Sequence, residues 1–149
     1  MSKVLISILT LVAVAFAVIY WQNSRVPELG VVHGKLADLG SRPNAVSTQA
    51  LEESKRVAML PMKANLATTR AAIHTAISAY GGAEIIVDKD EYIYAVFTTP
   101  LMKYHDDVEF YIDAAQRQVH FRSSSRAGYS DRGLNRQRYE ALARTYSEQ

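Results

Sequence analysis

The hydrophobic and polar positions of the chain divide it into an apolar start, an irregular middle and a patterned C-terminal half. The apolar start runs from Val4 to Trp21 without a charged residue. A helix over these residues reaches the lower end of the length needed to cross about 30 Å of hydrocarbon. Tyr20 and Trp21 lie where an aromatic belt forms at a membrane surface. The pattern therefore predicts a transmembrane anchor over residues 1–21.

The orientation of this anchor follows from the charge that precedes it. Lys3 is the only charged residue before the apolar run, and positively charged flanks stay in the cytoplasm. This predicts a single-pass protein of the cytoplasmic membrane with a cytoplasmic N-terminus and an extracytoplasmic, periplasmic domain. The alternative is a cleaved signal peptide, because Ala13-Val14-Ala15 and Ala15-Phe16-Ala17 supply small residues at the required spacing. Both alternatives export the domain.

The middle of the chain, residues 22–63, has no sustained period and contains several prolines and glycines. Such composition favours irregular structure, with at most a short helix around residues 49–59. The turn cluster Ser41-Arg42-Pro43-Asn44 indicates that the later part of the segment is ordered. We predict a linker over residues 22–40 and a single domain over residues 41–149, since the remaining length suits only one compact domain.

The patterned half begins with an amphipathic helix between Asn65 and Tyr80. Apolar side chains recur there at helical spacing, Asn65 is a suitable N-cap, and Gly81-Gly82 ends the run. A second helix is predicted at the end of the chain, over residues 134–146, where the spacing assigns its inner face to Leu134, Ala141, Leu142 and Thr145.

Two β-hairpins are predicted between these helices. The first joins residues 84–87 to residues 92–98 through the polar turn 88–91. In the second, residues 108–112 and 119–121 alternate between apolar and polar side chains around the four-residue turn 114–117. This turn sets a register that pairs Phe110 with Phe121, Ile112 with Val119, Glu109 with Arg122 and Tyr111 with His120.

These elements predict the fold class. The domain is expected to be α+β, with a two-layer arrangement in which two helices pack on a four-stranded antiparallel sheet built from the two hairpins. The N-terminal transmembrane helix precedes it.

Composition and charge exclude several functions. The net charge of +2 is too small to indicate a nucleic-acid partner, and acidic residues are interleaved with the arginines. The chain contains no cysteine, which excludes disulfides, thiolate ligands, a cysteine nucleophile and an acylated N-terminal cysteine. No phosphate-binding loop or dinucleotide fingerprint is present. We therefore predict no cofactor. A metal site of His105, Asp106, Asp107 and His120 is an alternative, but the hairpin register places His120 opposite Tyr111 and not beside Asp106, so we predict no metal site.

The most constrained chemistry lies in an arginine-rich C-terminal stretch without lysines. It contains Arg117, Arg122, Arg126, Arg132, Arg136, Arg138 and Arg144. This choice of residue indicates a demand for the planar guanidinium fork. One interpretation is internal pairing, in which Arg122 and Arg126 bind Glu109, Asp107 or Asp106. The other leaves an anion-binding set of Arg126, Arg132, Arg136 and Arg138, with a turn containing Tyr129 and Asp131 adding backbone donors.

The same stretch carries a family resemblance. Residues 106–110 (DDVEF), 122–131 (RSSSRAGYSD) and 42–49 (RPNAVSTQ), together with Gly133, Asn135, Arg136 and Arg138, resemble the signature of domain-of-unknown-function family 1499. In that family a cysteine usually follows the Pro-Asn pair and another often precedes the motif; Ala45 and Gly40 occupy those places here. The resemblance implies exported or membrane-associated placement and no particular activity.

One motif, residues 42–49, lies before the predicted helix 65–80, and the other, residues 122–131, lies at the end of the predicted sheet. Because both belong to one family signature, we expect them to pack against each other. A loop before the first helix and the end of the sheet would then meet around the arginines, with Asn44 and Ser47 orienting Arg126 or Asp131. The alternative is that Asn44 and Ser47 only cap turns.

Three functional hypotheses follow. The leading one is a non-enzymatic, membrane-anchored domain that binds an anionic lipid headgroup or a protein carboxylate through the arginine cluster. The second is a protein-interaction or assembly subunit of a membrane complex, with structural arginines and exposed contacts at Tyr92, Tyr94 or the linker. The third is a hydrolase using His120 with a nearby acid or serine, although no nucleophile elbow is present.

Overall fold

The computed structural model describes residues 3–149. An apolar helix precedes a domain in which two further helices pack on one face of an antiparallel sheet. The elements are α1 (Lys3–Ser24), β1 (Val31–Val32), β2 (Lys35–Leu36), β3 (Ala45–Ser47), a short 3-10 helix (Glu53–Lys55), β4 (Leu60–Pro61), α2 (Leu66–Tyr80), β5 (Ala83–Lys89), β6 (Tyr92–Thr98), β7 (His105–Asp113), β8 (Gln118–Ser125) and α3 (Leu134–Ser147).

The sheet is larger than predicted. Its strand order is β3-β8-β7-β6-β5, β4 also pairs with β8, and β1 and β2 form a separate two-stranded sheet. The α+β class and the two hairpins are confirmed, but a sheet of only four strands is wrong, because β3 and β4 make it six-stranded. These two strands are too short, at three and two residues, to show an alternating pattern. They form by pairing with the distant β8.

The register of the second hairpin is confirmed. Glu109 pairs with Arg122, Phe110 with Phe121 and Tyr111 with His120. The first hairpin differs in its turn, because β5 continues to Lys89 and leaves only Asp90 and Glu91 outside the strands. Its register shifts between Ile85 and Val87, which indicates a β-bulge.

The two domain helices cover the apolar face of the sheet. Asn65 caps α2 by accepting a hydrogen bond from the Thr68 amide, and Gly81 ends the helix with φ +76°. Both predicted helices are confirmed, yet of the residues predicted for the inner face of α3 only Leu142 is buried. The buried residues of α3 are Asn135, Arg138, Tyr139, Leu142 and Tyr146. Polar side chains therefore enter the helix–sheet interface, where the sequence pattern placed only small or apolar ones.

The opposite face of the sheet is covered by the segment that was predicted to be a linker. We call residues 25–40 the N-terminal strap. The Gly30 amide donates to Glu109 Oε1 over 3.1 Å, and the Ala37 carbonyl accepts from Arg122 Nε over 3.0 Å. Leu36 is buried as well. The strap thus packs on the domain instead of separating it from α1, because its backbone groups complete polar networks that begin in the sheet.

Candidate functional site

Three acidic residues of β7 form one half of the candidate site. Asp106, Asp107 and Glu109 are each at most 1% exposed. Successive strand residues point to opposite faces, so Asp106 faces the helices while Asp107 and Glu109 face the N-terminal strap. Each carboxylate forms an ion pair with an arginine, and the three arginines are Arg138, Arg126 and Arg122.

The Asp106 pair connects the sheet to α3. Arg138 Nη2 donates to Asp106 Oδ2 over 2.6 Å, and Arg138 Nη1 donates to Asn135 Oδ1 over 2.8 Å and to Ser123 Oγ over 3.2 Å. The guanidinium lies 4.9 Å from the centre of the Phe97 ring. Arg138 is thus enclosed in the interior, and its charge is used for packing α3 on the sheet.

The Asp107 pair lies on the strap side of the sheet. Arg126 Nε reaches both carboxylate oxygens, and its Nη2 donates to Oδ1 over 2.7 Å. The Tyr94 hydroxyl donates to the same Oδ1 over 2.6 Å. Burial raises the pKa of Tyr94 to about 12, with the Asp107 carboxylate adding to the rise. The phenol therefore remains a neutral donor, and the fork geometry explains why an arginine stands at this position.

Glu109 is the most buried of the three carboxylates. Arg122 Nη1 donates to Oε2 over 3.1 Å, while the Tyr92 hydroxyl and the Gly30 amide donate to Oε1 over 2.8 and 3.1 Å. Burial raises the pKa of the Glu109 carboxyl, and these three donors oppose the rise. Internal pairing of Arg122 and Arg126 with Glu109 and Asp107 is thus confirmed.

The Pro-Asn motif meets the other motif as its position suggested. Asn44 Nδ2 donates to the carbonyls of Gly128 and Ser125 over 3.1 and 3.4 Å. Its own carbonyl accepts from Asn135 Nδ2, which also donates to Asp131 Oδ2 over 2.8 Å. Asn44 therefore contacts the Asp131 turn through Asn135.

Ser47 has a local role that differs from that of Asn44. Its Oγ accepts from the Gln49 amide over 3.1 Å, and no contact with Arg126 or Asp131 is present among residues 3–149. This geometry matches the turn-capping alternative for Ser47.

The remaining predicted ligand residues lie on separate surfaces. Arg136 Nη2 donates to the carbonyls of Ser54 and Arg56 over 2.8 and 3.1 Å. Arg132 is exposed at φ +54°, and Tyr129 is 75% exposed. Because Arg138 is buried on the helix side and Arg126 lies on the strap side, the structure does not bring the predicted arginine set to one place.

A different set of arginines lines a cleft of about 550 Å³ between the end of α1 and the strap side of the sheet. Arg25 and Arg42 are exposed and form no ion pair with any residue in the range 3–149. Arg25 lies 4.7 Å from the centre of the Trp21 ring. The charged lining consists of Arg25, Arg42, Asp107, Arg122 and Arg126, and the uncharged polar lining consists of Gln22, Ser124 and Ser125.

The sequence pattern did not single out this pair of arginines. Arg25 lies in the predicted linker and Arg42 in a turn, and only the folding of the strap brings both to one cleft.

The histidines do not form a catalytic arrangement in the described part of the chain. His120 Nδ1 lies 3.3 Å from Thr48 Oγ1, and its ring stacks on Tyr111 at 5.6 Å. Burial lowers the pKa of His120, which favours the neutral imidazole. His74 contacts the Asp88 carboxylate, and His105 contacts a threonine hydroxyl. Over residues 3–149, no histidine contacts both a hydroxyl and a carboxylate, and no group of three metal-ligating side chains is found.

Tyr92 and Tyr94 are not exposed contacts, contrary to the second hypothesis. Tyr94 is 6% exposed and Tyr92 is half-buried. Their hydroxyls are engaged with Glu109 and Asp107.

A comparison with protein families places the motifs in context. The family model described as "Protein of unknown function (DUF1499)" matches residues 35–145. The chain belongs to the DUF1499 family. The DUF1499 match includes all three buried ion pairs and Asn44, and it begins within the strap. No curated protein matches the chain, and no solved structure does.

Proposed function

We propose that this DUF1499 protein is a single-pass membrane protein whose non-enzymatic domain binds an anionic group on the extracytoplasmic side. The observation that carries the proposal is the cleft at the C-terminal end of α1, in which four arginines face one carboxylate. This proposal keeps an arginine cluster as the anion-binding site but assigns it to other residues. Within residues 3–149, the arginines of the cleft without an ion pair are Arg25 and Arg42, whereas the sequence pattern favoured Arg132, Arg136 and Arg138.

The properties of α1 support a membrane anchor. The helix is long and apolar enough to cross a membrane, and its apolar window is not buried against the domain. Asn23 is its only buried residue. Exposure of so many apolar side chains to water is unfavourable, so a bilayer is the environment that suits this helix. Lys3 at the start of the helix favours a cytoplasmic N-terminus.

Anchoring and orientation have a direct test that also addresses signal cleavage. A reporter that is active only outside the cytoplasm, fused to the C-terminus, is expected to be active, and the mass of the membrane-extracted protein is expected to include residues 1–21. A mature mass that begins after Ala15 or Ala17 would show a cleaved signal peptide instead.

The charge balance of the cleft supports an anionic ligand. Arg122 and Arg126 are matched by Glu109 and Asp107, so the uncompensated charge comes from Arg25 and Arg42. A cation that is close to an anionic lipid surface contributes about 1 kcal/mol. Trp21 lies in the same cleft, and tryptophan is enriched at the membrane–water interface. A phosphate of a lipid headgroup is therefore favoured over the carboxylate of a protein.

The binding experiment uses the full-length protein in nanodiscs that contain phosphatidylglycerol and phosphatidylcholine. Native mass spectrometry of the protein after its release from the nanodiscs is expected to show retained phosphatidylglycerol. Arg25→Gln and Arg42→Gln are each expected to reduce retention about fivefold, which corresponds to about 1 kcal/mol. Arg144→Gln is the matched control, because Arg144 is also exposed but lies outside the cleft, in the last turn of α3. Equal retention by all variants, or no preference for the anionic lipid, would contradict the proposal.

A second candidate function is assembly within a membrane complex. The observation that favours it is that Arg122, Arg126 and Arg138 all form ion pairs with carboxylates inside the domain, as expected for structural arginines. Co-purification of a membrane protein in place of lipid, lost when cleft residues are changed, would support this function.

A further inference from the structure

Two loops of the domain lie at the same end of the sheet. β6 ends and β7 begins at the Thr98–His105 pair, and β8 ends at Ser125, which pairs with Asp106. The loops that follow β6 and β8, residues 99–104 and 126–133, are therefore neighbours. Each exposes a large side chain, Leu101 at 88% and Tyr129 at 75%.

The end of α1 is attached to this same end of the sheet. Asn23 Nδ2 donates to the Lys103 carbonyl over 2.9 Å, and Asn23 Oδ1 accepts from the His105 amide over 2.7 Å. Asn23 is 5% exposed. The second loop is joined to the first, because the Arg126 amide donates to the His105 carbonyl over 3.0 Å.

These contacts fix the height of the loops relative to the anchor. Asn23 follows Trp21 by two residues, which corresponds to about 3 Å along a helix axis. Tryptophan at the end of a membrane helix lies in the interfacial region, which adds about 5–7 Å on each side of the hydrocarbon. The backbone of Lys103 is hydrogen-bonded at this level, so the loop that carries Leu101 lies within the interfacial region or next to it.

We propose that the domain docks on the bilayer that holds α1, with Leu101 and Tyr129 inserted among the headgroups of an anionic leaflet. Transfer of the exposed leucine side chain from water to an apolar environment is favourable. A tyrosine suits an interface because it joins an apolar ring to a polar hydroxyl. Lys103, Arg42 and Arg132 are exposed near these tips and attract anionic headgroups. The inference rests on the proposed anchoring by α1 and does not depend on a ligand in the cleft.

The docking has a consequence for orientation. A domain on a free linker of about twenty residues could move far from the membrane. Here the Asn23 hydrogen bonds and the packed strap attach the domain directly to the helix end, so the two loops meet the surface and the cleft opens beside it.

The absence of cysteine from the natural sequence allows a site-specific test. Leu101→Cys and Tyr129→Cys carry an environment-sensitive fluorophore in full-length protein reconstituted into phosphatidylcholine–phosphatidylglycerol vesicles. Leu51→Cys is the matched control, because Leu51 is 91% exposed. Leu51 follows β3, which runs from Ala45 beside Ser124 to Ser47 beside Arg122 and so leads the chain away from the end of the sheet that carries the two loops. Lipids with a nitroxide near the headgroup are expected to quench the probes at positions 101 and 129 and to leave the probe at position 51 bright.

The single tryptophan separates failure of docking from failure of anchoring. Trp21 in the unlabelled protein is expected to be quenched by the same lipids. Quenching of Trp21, with the probe at position 101 as bright as the probe at position 51, would overturn docking and leave anchoring intact. Unquenched Trp21 would overturn both. Equal quenching at positions 51 and 101 would also overturn docking, since the dye alone would then explain insertion.

Discussion

Replacement of Arg138 by methionine removes the cationic half of an ion pair that is shielded from water. The side chains of Arg138 and Asp106 are 3% and 2% exposed, and their closest atoms are 2.6 Å apart. Methionine keeps much of the length that packs on Phe97. The bond that Ser123 Oγ donates to Asn135 Oδ1 does not involve Arg138. The change removes the two hydrogen bonds that Arg138 Nη1 donates to Asn135 Oδ1 and Ser123 Oγ, and it leaves the carboxylate of Asp106 unpaired.

The expected cost follows from that burial. Removal of one partner of a buried pair costs about 3–5 kcal/mol, because the other charge loses its counterion without regaining water. This is a large part of the roughly 5–15 kcal/mol that stabilises a typical domain. In contrast, Asp106→Leu combined with Arg138→Met removes both charges, and we expect it to be much less destabilising than either single change.

The assay is urea denaturation of the full-length protein in detergent, with unfolding monitored by circular dichroism. A double-mutant cycle compares Asp106→Leu, Arg138→Met and the double variant, and a strong favourable coupling energy is expected. A cost of less than about 1 kcal/mol for Arg138→Met, which is typical of an exposed pair, would refute the reasoning. So would a double variant whose cost equals the sum of the single variants.

Three further predictions concern the same domain. Asn65→Ala removes the cap of α2, and we expect a loss of about 1 kcal/mol in unfolding free energy by urea denaturation; an unchanged midpoint would contradict the capping role. Arg126→Lys removes the fork that binds both oxygens of Asp107, and a loss of about 1.5–3 kcal/mol is expected, whereas equal stability would show that charge alone suffices. Burial lowers the pKa of His120 below its ordinary value of 6.5. The stability that depends on the neutral side chain is therefore present above pH 6.5 and is lost as the pH falls through the lowered pKa. The melting temperature of wild type should fall more between about pH 7.5 and pH 5 than that of His120→Gln.

Several elements of the fold could be predicted because their signals are local. Asn65 and Gly81-Gly82 mark the ends of α2 within the residues that form it. The four-residue turn before β8 fixes the register with β7. β3 gave no such signal, since its pairing of Ala45 with Ser124 depends on a strand far along the chain.

The candidate site could be predicted only in part. The pairing of Glu109 with Arg122 follows from the hairpin register, because the two residues face each other across the strands. The partner of Asp106 did not follow, because Arg138 lies on α3 and the spacing of apolar residues placed the inner face of that helix elsewhere. The cleft also depends on the strap, whose irregular sequence has no period to read.

The sequence by itself determined the apolar helix, the two domain helices and the β7–β8 hairpin, because periods and turns act over short stretches of chain. Only the tertiary structure decided which arginines are internal and which remain free. The ion pairs join residues 13, 19 and 32 positions apart, and adjacent carboxylates of β7 point to opposite faces. Whether a charge is paired or open therefore depends on what covers each face of the sheet, which in this chain is α3 on one side and the strap on the other.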